Sequence, residues 1–235
     1  MDPTEITKHI PEIVGVAKVA AASIPFTGIV KRMFGPAADE VAEMWRDEVR
    51  IYRYGRQVKL LEKVEKMAQE AGFNPQAVPP KILFPLLEGA SFEDNEDLHT
   101  MWAGLLANAA HPESGEILRP SFISILRELA PDEAAVLNWI FDNSHDSPAF
   151  RNFRISVTDL ATAFIGLGLA TEGNSLHGLS TLENEGRQRL ETCIDGLQAS
   201  QLIRRHNDSD DDLYYRLTFR GRDFVRACRP PKAKS

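Results

Sequence analysis

The amino-acid sequence predicts a mainly α-helical protein, with a helical bundle over 1–142, a small α/β domain over 143–229 and a disordered tail at 230–235. Three observations predict it. Apolar residues recur at helical spacing over 36–71 and again over 91–130. Prolines 36, 120 and 131 stand where helices can begin, because a proline costs nothing at the first helical position. After residue 142 the pattern shifts to short alternating stretches of strand type.

The central stretch is 91–130. Leu98, Met101, Trp102, Leu105, Leu106 and Ala109 fall at i, i+3, i+4, i+7, i+8 and i+11, one face of a helix. Ser91 with Asp94 three residues on reads as its capped start, and Glu93, Asp94, Glu96 and Asp97 suit the positive end of the helix dipole. His111-Pro112 ends it, since the residue before a proline is pushed out of the α region. Pro120 opens a second helix carrying Phe122, Ile125, Leu126 and Leu129. Two amphipathic helices this close must pack on one another, so Leu98, Trp102, Leu105, Leu106, Phe122 and Leu126 are expected to form the core of a helical hairpin.

Ahead of it, Ile6, Ile10, Ile13, Val14, Ala17 and Ala21 make a stripe that stops at Pro25. A long helix over 36–71 follows, with Val41, Trp45, Val49, Leu60 and Val64 inward, Gly55 permitting a kink and Gly72 as its stop. The proline-rich connector 74–80 leads to a short apolar helix with Ile82, Leu83, Leu86 and Leu87. Beyond a third hairpin helix from Pro131, Phe153 to Val157 alternates as a strand and Thr158-Asp159 caps a helix through Phe164. Leu182 to Leu197 reads as a helix, and 201–205 and 214–218 as strands joined by an acidic tip. A helix over 219–228 closes the pattern. Helix, strand, helix, helix and hairpin is the order of a winged helix, so the second domain is expected to be winged-helix-like.

Composition is that of an ordinary soluble globular chain, 43% hydrophobic and 26% charged. A net charge of −7 disfavours nonspecific attraction to nucleic acid, although it leaves room for a local basic patch. Cys193 and Cys228 show neither zinc spacing nor a CxxC motif. Without a secretory pattern at the start, they read as reduced thiols of a cytoplasmic protein.

The run Glu96-Asp97, then Met101-Trp102-Ala103-Gly104-Leu105-Leu106-Ala107-Asn108-Ala109, the His-Pro loop, and Pro120-Ser121-Phe122 through Ala130-Pro131 resemble the bacterial Abi-alpha (abortive infection alpha) family. Upstream, Gly35-Pro36-Ala37-Ala38-Asp39-Glu40 and Arg50-Ile51-Tyr52-Arg53 fit the same pattern, so the resemblance spans roughly residues 30 to 228. It implies a part in antiviral defence, the phage resistance of abortive infection, and carries no molecular activity over to particular residues.

Four constellations bear on chemistry. Arg50, Tyr52, Arg53, Tyr54, Arg56, Lys59 and Lys63 interleave base and aromatic, a pattern that can hold RNA, a nucleotide or anionic lipid by charge and stacking. Asp47, Glu48, Glu62 and Glu65 dilute it towards a surface of internal pairs. Glu96-x-x-His99 has di-iron spacing but occurs once, on the polar side of its helix, so it reads as a solvated face rather than a metal site. In the expected winged helix, the recognition helix balances acids with bases and the wing tip carries Asp208, Asp210, Asp211 and Asp212, which disfavours sequence-specific DNA. No phosphate-binding glycine loop, GxSxG or HExxH motif is present.

The expectation is therefore a non-enzymatic sensor, adaptor or effector acting through protein–protein interaction with host or phage proteins. No catalytic residue, cofactor or metal is implied, and a homo-oligomer stays open. One alternative is a membrane-directed effector whose 6–30 segment, with Ile6, Ile10, Ile13 and Val14, meets the inner membrane peripherally; another is a nucleic-acid or anionic-ligand binder using 50–66. Glu5, Lys8, Glu12 and Lys18 are mixed in sign, which suits a protein partner for the stripe better than anionic lipid. Replacing Ile10 and Val14 together by aspartate should lower thermal stability in detergent-free buffer. Unchanged stability with loss of liposome binding would favour the membrane.

Overall fold

The computed structural model describes residues 51–113, 119–145, 155–173, 182–207 and 213–232. The N-terminal stripe at Ile6, Ile10, Ile13 and Val14, the start of the long helix, and the wing tip lie outside these residues, as do residues 233–235.

Eight helices and three strands follow one another among the described residues: α1 (Ile51–Ala71), α2 (Pro80–Ser91), α3 (Glu96–Ala109), α4 (Pro120–Glu128), α5 (Pro131–His145), β1 (Ile155–Ser156), α6 (Val157–Gly166), α7 (Asn184–Ala199), β2 (Ile203–Asn207), β3 (Leu213–Leu217) and α8 (Phe219–Cys228). The protein is mainly helical, with one small antiparallel sheet in the order β1-β3-β2. Ile203 lies opposite Leu217 and Arg204 opposite Arg216, while Ile155 pairs with Tyr215.

Proline and glycine set several boundaries. Pro80 and Pro120 begin α2 and α4, and Pro131 begins α5. Gly72, at φ +72°, takes the left-handed conformation that ends α1. Two caps differ from the sequence reading. The cap of α3 is Asn95, whose side chain accepts from the N–H groups of Asp97 and Leu98, whereas Ser91 ends α2 and donates to the Glu88 carbonyl. Serine here is committed to the preceding turn, leaving the next oxygen-bearing side chain to cap. Likewise Ser156 rather than Thr158 caps α6, in a reciprocal capping box with Asp159.

One hydrophobic core runs from Leu60 on α1 to Cys228 on α8. Leu98, Trp102, Leu105, Leu106, Phe122 and Leu126 are all buried at its centre. Helix α3 is enclosed nearly all round, every residue from Leu98 to Asn108 except Thr100 being buried. Two close approaches make that possible. Gly89 of α2 lies against the Trp102 ring, where a Cβ would overlap the indole. Gly104 lies against the Cys228 carbonyl at the end of α8, where a Cβ would overlap backbone.

Four residues on, the Asn108 amide donates to the carbonyls of Gly104, Ala227 and Arg229 at 3.0, 2.9 and 2.8 Å. The last two belong to the C-terminal turn of α8, whose carbonyls have no partner within their own helix. Arg229 then closes the seam against α5, in a bidentate pair with Asp142 and stacked 4.6 Å from the Phe141 ring centroid. Asn108→Ala should therefore cost about 1–3 kcal/mol by leaving buried carbonyls unpaired. Gly104→Ala should also destabilise, because its obstacle is backbone that cannot rotate away. Denaturant midpoints test both, and unchanged midpoints would show that α8 does not depend on this seam.

Candidate functional site

The basic–aromatic stretch sits on α1 and faces the start of α3. Arg56, Leu60, Lys63, Val64 and Met67 share one stripe of α1, so the two cations flank the apolar contact. Between them stands Glu96, in the first turn of α3. Its Oε1 accepts from Arg56 Nη1 and its Oε2 from Lys63 Nζ at 2.9 Å. Lys63 also donates to Thr100 Oγ1 at 2.9 Å. Arg53 donates from Nε to Ser91 Oγ at 3.0 Å and stacks on Phe92, 4.1 Å from the ring centroid. Lys59 is exposed and Tyr54 half-buried. Arg50 lies outside the described residues, as does the side chain of Tyr52. The structure thus draws Arg53, Arg56 and Lys63 onto α2 and α3.

His99 departs from the solvated face expected of it: it is fully buried. Because α3 is central, it has no polar side at this level. Its Nε2 lies 3.0 Å from the Arg56 carbonyl, which can only accept, so Nε2 carries the proton and Nδ1 the lone pair. Burial, reinforced by the Arg56 cation, pushes the imidazole down to about 4. The Lys63 and Arg56 hydrogen bonds hold the Glu96 carboxyl at about 2. Neither group is poised near neutrality, as a general acid or base must be. Among the described residues no cluster of three His, Cys, Asp or Glu is arranged to hold a metal ion.

A groove of about 330 Å³ runs between the start of α5 and α7, lined by Asp132, Glu133, Glu185, Arg189, Thr192 and Cys193. Its carboxylates are partly committed. Glu133 accepts from the Ala130 N–H and Asp132 pairs with Arg189 at 3.5 Å. Burial raises the Glu133 carboxyl, and it pushes the Cys193 and Cys228 thiols well up, so both are poor nucleophiles.

Arginines recur on the described strands of the hairpin and on α8, while Asp208, Asp210, Asp211 and Asp212 between the strands lie outside the described residues. Arg204, Arg205 and Arg216 lie on β2 and β3. Arg220, Arg222, Arg226, Arg229 and Lys232 follow, with Asp223 the one acid among the described residues of 203–232.

The fold is that of a mainly helical protein built around a central buried helix, with a three-stranded sheet packed against α5, α6 and α7. The model of the family "Abortive infection alpha" matches residues 55–228, well over half of the chain, and the chain belongs to that family. The likeness read at Gly35 to Arg53 falls outside the matched residues. No curated protein and no solved structure matches the chain significantly. Membership implies a role in abortive infection, a defence against phage.

The two shifted groups make a pH signature. His99 falls from an ordinary 6.5 to about 4 in the fold, so the unfolded chain binds the extra proton between those values. Its contribution is complete above pH 6.5 and lost as pH falls through about 4. The Glu96 contribution is complete above 4.5 and lost towards about 2. His99→Gln, which keeps a donor for the Arg56 carbonyl, should flatten the stability profile in the upper window only, and Glu96→Gln in the lower only. Denaturation midpoints measured across pH check both.

Proposed function

We propose that this protein is a non-enzymatic component of abortive infection, a sensor, adaptor or effector that works through contacts with host or phage proteins, and that residues 143–229, entered from α5, form a winged-helix-like unit. One observation carries the reading: the residues by which the chain resembles its family are spent on architecture. Trp102 fills the space beside Gly89, and Gly104 and Asn108 receive the end of α8. Glu96 ties α3 to α1. The order α5-β1-α6-α7-β2-β3, with β3 between β1 and β2, supports the winged-helix-like assignment.

On this reading the exposed faces do the work. The alternative of membrane attachment rests on 6–30, outside the described residues, and no described helix is long and apolar enough to cross a membrane. The anionic-ligand alternative at 50–66 loses support from the engagement of Arg53, Arg56 and Lys63 with α2 and α3.

A substitution panel separates contact from catalysis. Glu96→Gln, Glu133→Gln, Cys193→Ala and Cys228→Ala should each leave plating efficiency of a restricted phage unchanged in strains carrying the variant, provided thermal melts show a folded protein. Loss of resistance in a variant with an intact melt would place that group in a reaction and defeat the proposal.

A further inference from the structure

We draw no further inference here: the strongest candidate, the groove of about 220 Å³ at the turn between α2 and α3, where Phe92 is 63% exposed beside Gly89, Glu93 and Arg127, carries nothing because Arg127 is already paired with Glu88 and nothing in the structure shows what covers the groove.

Discussion

The fold depends on a side chain meeting a helix end. Asn108 reaches from the buried helix α3 to the last carbonyls of α8, and Gly104 clears the path for the backbone to approach. A helix C-terminus buried without partners would carry several unsatisfied acceptors, each costing as much as a lost hydrogen bond. The amide supplies donors where water cannot reach. Arg229 extends the same seam to α5, so a contact involving a few atoms fixes three helices.

The seam gives the Met101–Ala109 run its physical content. A tryptophan, a glycine and an asparagine in one apolar helix suggest a site, yet here each is matched to a neighbour. The indole takes the space that Gly89 leaves open, the glycine takes a carbonyl, and the asparagine takes two more. Glu96 and His99 extend the pattern one turn earlier, against Arg56. Specificity of assembly accounts for each of these side chains.

Much of the helical body was legible because proline, glycine and apolar spacing are local signals. Pro80, Pro120 and Pro131 begin helices, and Gly72 ends one, whatever surrounds them. Errors arose where tertiary contacts chose between local options. Ser91 and Asn95 are both good caps, and the choice followed from Ser91 being held by Glu88 and Arg53. His99 looked polar on a two-sided helix, but α3 has neighbours on every side, and a helical wheel assumes one face in water. Asn108 did leave a trace: an amide within a buried apolar run must find partners. Which partners those are could not be read, because they lie 119 and 121 residues away.

That separation also orders events during synthesis. Helices α1 to α5 can collapse as they emerge, since their contacts are close in sequence. The floor of α3 stays open until residues 227–229 have been made, because only they bring the carbonyls that Asn108 and Gly104 accommodate. A ribosome stalled before that point holds a polypeptide with an exposed apolar trough and no seam to close it. Closure of this core thus waits on residues more than a hundred positions further along the chain, a non-local contact of the kind that slows folding.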